Sequence, residues 1–247
     1  MSPSEDQYDG IAEAYRDSKR LPFRRYVEAY SLFEILGDLR GRRVLDLACG
    51  DGFYTRMIKA AGALEVTGVD LSAEMIRLAE EEERARPLGC RYLHRDAATL
   101  DRPEQVDLVV AVYLLNYART REELLRFVEA AHSLVRPGGR FAGFNDNVRN
   151  VPRGRLSLPQ YGLEKECAED PREGDVILYT ITNEDGARFE FRNYFLEPES
   201  YEWAFREAGF SGFRWAGPYL HPSHREDPLW DAFMSHPPVI GFSAARP

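Results

Sequence analysis

Cysteine, long hydrophobic runs and positive charge are all in short supply in this chain of 247 residues. The three cysteines, Cys49, Cys90 and Cys167, are odd in number and lack the paired spacing of a zinc site, which suits a reducing cytoplasm. No stretch approaches about 18 uninterrupted apolar residues, so no membrane span is expected. The N-terminus is acidic with no apolar run behind it, which is not the pattern of a secretory signal.

The charge balance is acidic, with 41 Asp and Glu against 32 Lys and Arg and a formal net charge of −9. Because affinity for polyphosphates comes from clustered Lys and Arg, this balance disfavours nucleic acid and anionic membrane as partners. Hydrophobic residues make up 44% of the chain, which is enough for a sizeable core. We therefore predict a globular cytoplasmic protein, monomer or homodimer, whose partner is a small molecule.

Strand and helix patterns alternate through the middle of the chain. The short apolar runs that predict strands lie at 44–48, 66–70, 90–94, 106–112 and 141–144. The segments between them have helical spacing, and so does 5–36, which Pro22 interrupts. Such alternation is typical of a parallel sheet with helices on both faces. We predict an α/β fold with a doubly wound, mostly parallel sheet of seven strands, preceded by N-terminal helices.

The pattern changes after Asn145. Residues 146–174 lose periodicity, and we predict an irregular excursion there. The runs 176–182 and 188–195 flank Asn183-Glu184-Asp185-Gly186, which predicts a β-hairpin that caps the ligand pocket from outside the main sheet. Strands at 213–216 and 239–244 would complete the sheet. The expected organisation is a single domain, 1–247. Its parts are a helical cover at 1–40, a ligand-binding core at 41–145 and a cap with the final strands at 146–247.

The sharpest motif is Val44-Leu45-Asp46-Leu47-Ala48-Cys49-Gly50-Asp51-Gly52, where a buried strand runs into a turn and a helix follows. Gly50 and Gly52 allow close approach of backbone to a ligand, and the helix start offers free N–H groups. The next strand ends at Asp70, where a carboxylate can bind both hydroxyls of a ribose. A plain strand–helix turn would explain the glycines but not the acids. Two carboxylates would repel a pyrophosphate and attract an ammonium, so the expected ligand joins a ribose to a cationic amino-acid end.

These residues resemble the first motif of the class I S-adenosylmethionine (SAM) dependent methyltransferases, which has an acid and three small residues at alternate positions. Asp46, Ala48, Gly50 and Gly52 fit that pattern, with Ala48 where glycine is more usual. The resemblance spans residues 40–145 and implies a Rossmann-like methyltransferase fold with SAM as cofactor. The residues that it implies for SAM binding are Asp46, Ala48, Gly50, Asp70, Leu71, Met75, Asp96, Ala97, Ala111 and Tyr117.

A narrower resemblance is to the small-molecule methyltransferases of toxoflavin-biosynthesis type, which methylate ring nitrogens of a planar azapteridine-like heterocycle. The stretches that carry it are Tyr8-Asp9-Gly10-Ile11-Ala12 with Tyr15, Asp17-Ser18-Lys19-Arg20-Leu21-Pro22-Phe23 and Tyr113-Leu114-Leu115-Asn116-Tyr117. It implies that N-terminal helices cover the cofactor, with Tyr8, Tyr15 and Lys19 as contacts. Amphipathic helix packing is the alternative role for the two tyrosines.

Candidates on the acceptor side are less specific. Those for substrate binding are Tyr8, Tyr113, Asn116, Trp203 and His221, and those for catalysis are His221, His224 and Asn116. His221 and His224 lack a third ligand, so no metal is expected, and a plain surface loop is the alternative for both. Trp203 also fits an ordinary core position.

The predicted function is transfer of a methyl group from SAM to a small planar heterocycle, at nitrogen, in specialised metabolism. One alternative is a small-molecule O-methyltransferase that acts on a phenol with a His base. Another is a protein or RNA methyltransferase, which the negative charge and the absence of an Asn/Asp-Pro-Pro-Tyr motif after the fourth strand disfavour. A non-catalytic SAM-binding protein is also possible, whereas the acids at the turn disfavour a nucleotide-dependent oxidoreductase.

Overall fold

The computed structural model describes residues 8, 10–97, 99–100, 104–151 and 153–247. Its helices are α1 (Ala12–Asp17), α2 (Tyr30–Leu36), α3 (Phe53–Ala60), α4 (Ala73–Ala85), α5 (Arg121–Leu134), α6 (Pro198–Glu207) and α7 (Asp231–Ser235). A π-helical segment, Arg24–Ala29, leads directly into α2, and single 3-10 turns lie at Ser18–Arg20, Leu115–Tyr117, Pro159–Tyr161, Pro222–His224 and Pro228–Trp230. The strands are β1 (Arg43–Leu47), β2 (Glu65–Asp70), β3 (Arg91–His94), β4 (Val106–Val112), β5 (Val135–Asp146), β6 (Arg155–Leu158), β7 (Leu163–Glu166), β8 (Val176–Thr182), β9 (Arg188–Tyr194), β10 (Ser211–Ala216) and β11 (Val239–Ala245).

The main sheet has seven strands in the order β10-β11-β5-β4-β1-β2-β3. Strands β3, β2, β1, β4 and β5 run parallel to one another. Strand β11 pairs antiparallel with both β5 and β10. The central strands are buried on both faces, as their continuous apolar runs predicted. The predicted doubly wound, mostly parallel sheet is therefore confirmed.

Strand β5 begins six residues before the strand that the sequence predicts at 141–144. It begins at Val135, directly after α5, and runs through Pro137-Gly138-Gly139, where its register against β4 shifts. Further along, a Cβ added to Gly143 would lie 1.9 Å from the Ala111 carbonyl oxygen of β4. Only glycine therefore permits this approach of the two strands, immediately below the edge of the sheet where the site lies.

Four further strands, β6-β7-β8-β9, form a separate antiparallel sheet, which we call the cap sheet. The hairpin of β8 and β9 turns at Asn183–Gly186 as predicted, with Asn183 N–H donating to the Ala187 carbonyl at 2.8 Å. The predicted irregular excursion at 146–174 is wrong in part, since β6 and β7 lie within it. Each of these strands has four residues, which is too short for its alternation to stand out between Pro, Gly and Arg.

A buried ion pair ties the cap sheet to the end of β5. The Lys165 ammonium of β7 donates to the carboxylate of Asp146 and to the carbonyl of Pro238, and its side chain is 1% exposed. One cluster of buried apolar side chains includes residues of both sheets, such as Val109 and Ile177. The cap sheet is thus packed as part of the same hydrophobic core.

The N-terminal helical stretch is interrupted where the sequence predicts it. Leu21 adopts an extended backbone, ψ 135°, because the residue before a proline avoids the helical region. The part of the predicted helix before Tyr8, together with Asp9, lies outside the described residues. Across the part of the chain that the structure describes, no helix combines the length and apolar character needed to cross a bilayer.

Candidate active site

A cavity of about 500 Å³ lies at the carboxyl ends of β1, β2 and β4. Its floor comes from residues that end or follow these strands, among them Asp46, Asp70 and Tyr113. Ligands of open α/β sheets bind at this edge, where the loops after parallel strands converge. The cavity also falls within the size range of small-molecule sites.

The turn between β1 and α3, residues 46–52, is the acidic turn. Ala48, Gly50 and Gly52 all have positive φ, at 58°, 56° and 79°. The left-handed conformation is strained for alanine but not for glycine. Ala48 therefore carries backbone strain at the position where the methyltransferase motif more usually has glycine. Two hydrogen bonds hold the turn against β2: Cys49 N–H donates to the Val69 carbonyl at 3.0 Å, and Gly50 N–H donates to Asp70 Oδ2 at 2.7 Å.

Asp46 is the most deeply placed carboxylate of the acidic turn, at 1% exposure. Burial raises the pKa of Asp46 to about 7, although the Thr55 hydroxyl donates to its Oδ2 at 2.6 Å and opposes that rise. Burial also raises the pKa of Asp51 and Asp70 above their ordinary values. Asp51 Oδ1 is buried without a hydrogen-bond partner among the described residues. These acids together favour a cationic ligand group, which would relieve the cost of burying negative charge.

Asp70 links the acidic turn to the start of α4. Its Oδ1 accepts the Ser72 N–H at 2.9 Å while Oδ2 accepts the Gly50 N–H. Ser72 in turn caps α4 by accepting the Met75 N–H at 3.1 Å. The carboxylate also lines the cavity, so this fixed group suits a pair of neighbouring hydroxyls bound there.

Tyrosines from the helical cover close one side of the cavity. The hydroxyls of Tyr8 and Tyr117 are hydrogen bonded to each other, and the Tyr8 and Tyr15 rings meet edge to face at 5.2 Å. The Lys19 ammonium lies over the Tyr15 ring at 4.6 Å and over the Tyr54 ring at 5.1 Å. The cover therefore presents aromatic faces and one cation to the acidic turn.

Below this wall lies a buried polar network that the sequence reasoning missed. Glu28, fully buried, pairs with Arg24 at 2.7 Å and accepts hydrogen bonds from the hydroxyls of Tyr54 and Tyr113. Both tyrosines line the cavity, and Tyr113 has φ 68°. The available signal was the spacing of Arg24 and Glu28, four residues apart on one helical segment.

Most of the predicted SAM contacts are brought together by the fold. Those that line the cavity are Tyr8, Tyr15, Asp46, Ala48, Gly50, Asp70, Leu71, Met75, Asp96, Ala97, Tyr113 and Tyr117. Ala111 does not; it is fully buried within β4, and Val112, Tyr113 and Leu114 provide the wall after that strand. Of the segment 111–114, which the resemblance places beneath the methyl donor, the last three residues therefore line the cavity and Ala111 does not.

The predicted acceptor-side residues are more scattered. Asn116 is buried behind the wall, and its Oδ1 accepts the Asp146 N–H at 3.2 Å. Trp203 lies on α6, where its ring stacks under the Arg121 guanidinium at 3.8 Å. Neither lines the cavity. Both side chains are used in packing, because their elements turn them toward other helices and strands.

His221 and His224 also lie away from the cavity. The backbone N–H of His221 donates to the Tyr26 carbonyl, and the His224 ring centre lies 4.0 Å from the Tyr26 ring centre. The structure therefore does not place either histidine as a base beside the donor. Among the described residues, no group of three or more His, Cys, Asp and Glu is arranged to hold a metal ion.

The sequence reasoning also missed one group of cavity residues. These are Tyr54, Arg119, Glu123, Arg126, Phe127 and Arg192. They come from α3, from the start of α5 and from β9, which only the tertiary structure brings to one place. No local motif marks them.

A family model described as a methyltransferase domain matches residues 44–139. The curated relatives include a ubiquinone biosynthesis O-methyltransferase from Coxiella burnetii, 30% identical over 161 residues that cover 58% of this chain and 67% of that protein. The chain belongs to the class I SAM-dependent methyltransferases. It spans about two thirds of the length of curated relatives of that name, 65% in one and 67% in another.

Solved structures share the fold of this methyltransferase. The CcbJ methyltransferase from Streptomyces caelestis matches with a TM-score of 0.69 at 20% identity, over 98% of this chain and 97% of that one. The DhpI–SAM–HEP complex matches with a TM-score of 0.63 at 22% identity, over the whole of both chains. At these identities the likeness shows a common architecture.

The residues of the cavity fit the cofactor of the family. SAM carries an ammonium, a carboxylate and a ribose, and the cavity offers the Asp46 carboxylate of the turn, the Lys19 ammonium and the fixed Asp70 carboxylate. A bound ammonium would relieve the cost of ionising the buried Asp46, whose pKa is raised.

Proposed function

We propose that this methyltransferase holds SAM along the acidic turn, with Asp46 toward the ammonium and Lys19 toward the carboxylate. Asp70 would bind the ribose hydroxyls, and Leu71, Met75, Asp96 and Ala97 would surround the adenine. The observation that carries this proposal is the buried Asp46, whose pKa rises to about 7 in a cavity that already contains an acid at the end of β2.

The bound sulfonium supplies an electrophilic methyl group with a good leaving group already in place. The protein's part is then to fix the approach of the acceptor and to exclude water. Tyr113 is suited to positioning because the buried Glu28 fixes its hydroxyl and its backbone is held at positive φ. Tyr8 and Tyr117 close the side of the cavity through their mutual hydrogen bond.

The acceptor in this proposal is a small planar ring that reacts at nitrogen. Tyr8, Tyr15, Tyr117 and Tyr194 line one cavity, and flat ligands gain from stacking on such walls. No histidine lines the cavity among the described residues. A neutral ring nitrogen needs no base, so this arrangement supports nitrogen as the methylated atom.

A second candidate is O-methylation of a phenol. The observation in its favour is that the curated relatives at about 30% identity are named as O-methyltransferases of ubiquinone biosynthesis. A phenol must lose its proton, and with no histidine among the described lining residues that step would fall to a carboxylate such as Glu123 or to solvent.

A transfer assay with tritiated SAM tests the function. The acceptors would be azaheterocycles, catechols, a mixed peptide pool and RNA, with Asp70→Ala as the variant that controls for background label. We expect label in an azaheterocycle. Label in catechols alone would select the second candidate, and label only in peptide or RNA would contradict the small-acceptor proposal.

We expect His221→Ala and His224→Ala each to change kcat/KM by less than about threefold, because losing a general base costs about 10²–10⁴-fold and neither ring lines the cavity. Tyr117→Leu serves as the positive control, since it removes a wall residue and the bond to Tyr8. Initial rates at several acceptor concentrations give kcat and KM separately. A loss of about a hundredfold in either histidine variant would restore a histidine base to the mechanism.

A further inference from the structure

The cavity of this acidic protein has a basic entrance. Arg119, Arg126 and Arg192 all line it, and all three side chains are exposed. We call these three residues the arginine mouth. Among the described lining residues, Glu123 is the carboxylate that lies beside these arginines.

Contacts link the two sides of the arginine mouth. The Arg119 guanidinium stacks on the Tyr194 ring at 4.8 Å. Arg192 precedes Tyr194 by two residues on β9, so the two side chains lie on the same face of that strand. On α5, Glu123 pairs with Arg126 at 3.6 Å and accepts the Arg119 backbone N–H at 2.9 Å. The guanidinium groups are therefore held at one edge of the cavity by the cap sheet and by the start of α5.

The positive charge at this edge is not needed for the amino-acid end of SAM. That end would lie at the acidic turn, where Lys19 already supplies a positive charge. The arginine mouth belongs instead to the entrance, next to Tyr117 and Tyr194, which the proposed function gives to the acceptor.

We infer that the acceptor is an anion: a planar ring with a carboxylate or phosphoryl group that the arginine mouth binds while the ring stacks on the tyrosines. The inference rests on the proposed function and narrows its substrate class. Guanidinium groups bind both oxyanions in bidentate fashion, which fixes orientation as well as affinity. A held anion at the entrance would direct the opposite edge of the ring toward the donor.

The test uses probe pairs, each an anion and a neutral compound with the same ring, bound to the protein saturated with S-adenosylhomocysteine and followed by ligand-observed NMR. Nicotinate is compared with nicotinamide, and phenyl phosphate with methoxybenzene. We expect the anion of at least one pair to bind about tenfold or more tightly than its neutral partner. Raising NaCl from about 0.05 M to about 0.5 M should shrink that ratio. Whether the nicotinate pair or the phenyl phosphate pair shows the higher anion affinity distinguishes a carboxylate from a phosphoryl group.

Arg119→Met and Arg192→Met should each reduce the anion-to-neutral ratio by about threefold or more while leaving the affinity for S-adenosylhomocysteine unchanged. Arg188→Met is the matched control, since Arg188 lies on the same strand, is exposed and pairs with Glu164 rather than lining the cavity. A ratio near one for both probe pairs would overturn the inference, whatever the absolute affinities. Loss of S-adenosylhomocysteine binding by the unaltered protein would instead overturn the proposed function.

Discussion

Replacing Asp46 with Asn is expected to weaken SAM binding by about 3 kcal/mol or more at pH 8, at least roughly a hundredfold. The Asp46 carboxylate is buried and accepts the Thr55 hydroxyl, so its remaining oxygen lies close to where the proposal puts the SAM ammonium. Removing one partner of a buried ion pair leaves the other charge without compensation. Calorimetry with SAM and S-adenosylhomocysteine measures the loss.

The same substitution is expected to stabilise the protein without ligand. In the folded state the pKa of Asp46 is about 7, raised from an ordinary value of 3.8. A raised carboxyl pKa means that the folded state resists ionisation. The stability that this group contributes is present at pH below 3.8, falls as the pH rises, and is lost once the pH passes 7. Asp46→Asn removes this loss of stability with rising pH. The free energy of unfolding of the variant at pH 8 should therefore exceed that of the unaltered protein, by a few kcal/mol at most.

SAM binding should show the matching pH dependence. An ammonium beside Asp46 favours the ionised carboxylate, so below about pH 7 the ligand must displace a proton and its affinity should fall. In Asp46→Asn that dependence should be lost. Asp170→Asn is the control, since Asp170 is exposed in the loop before β8. Equal SAM affinity in Asp46→Asn and the unaltered protein at pH 8 would remove Asp46 from the proposed site.

The sequence predicted the main sheet because each of its signals is local. The apolar runs of β1 and β4 are continuous, since both faces of these strands are buried, and the acid and glycines after β1 are close together in the chain. The positions of Asp46, Gly50 and Asp70 followed from that arrangement, because parallel strands bring their carboxyl ends to one edge.

The sequence predicted that the hairpin caps the ligand pocket, but it did not predict which side chains reach the entrance of the cavity. Arg192 and Tyr194 reach it only because the cap sheet packs beside the core through Lys165 and Asp146, a pair separated by 19 residues. Glu28 reaches Tyr113 from 85 residues away. Such contacts depend on how elements pack, and no periodicity or spacing in the sequence reports them.

The two histidines show why a residue type alone is a weak guide to chemistry. His221 and His224 stand among prolines in a loop after β10, a setting that also fits an acceptor pocket. The loop instead packs on the π-helical segment through Tyr26, on the side of the helical cover away from the cavity lining. Which side of the cover a loop contacts is decided by the whole chain path.

Asp70→Ala is expected to weaken binding of SAM and of S-adenosylhomocysteine by about 1.5–3 kcal/mol, roughly ten- to a hundredfold. Two causes contribute. The variant loses the hydrogen bonds that the ribose hydroxyls would donate to a charged acceptor. It also removes the carboxylate to which the Gly50 and Ser72 N–H groups donate. Glu65→Ala is the control, since Glu65 is exposed at the start of the same strand.

A ligand that lacks one hydroxyl separates the two causes. In the unaltered protein, 2′-deoxy S-adenosylhomocysteine should bind about tenfold more weakly than S-adenosylhomocysteine, because one hydrogen bond to Asp70 is lost. In Asp70→Ala the two ligands should bind almost equally, so the four affinities give a coupling energy of about 1 kcal/mol or more between residue and hydroxyl. Asp70→Asn, which keeps one oxygen acceptor, should fall between the two proteins. If the hydroxyl proves equally important with and without Asp70, the carboxylate holds only the acidic turn, and the ribose lies elsewhere in the cavity.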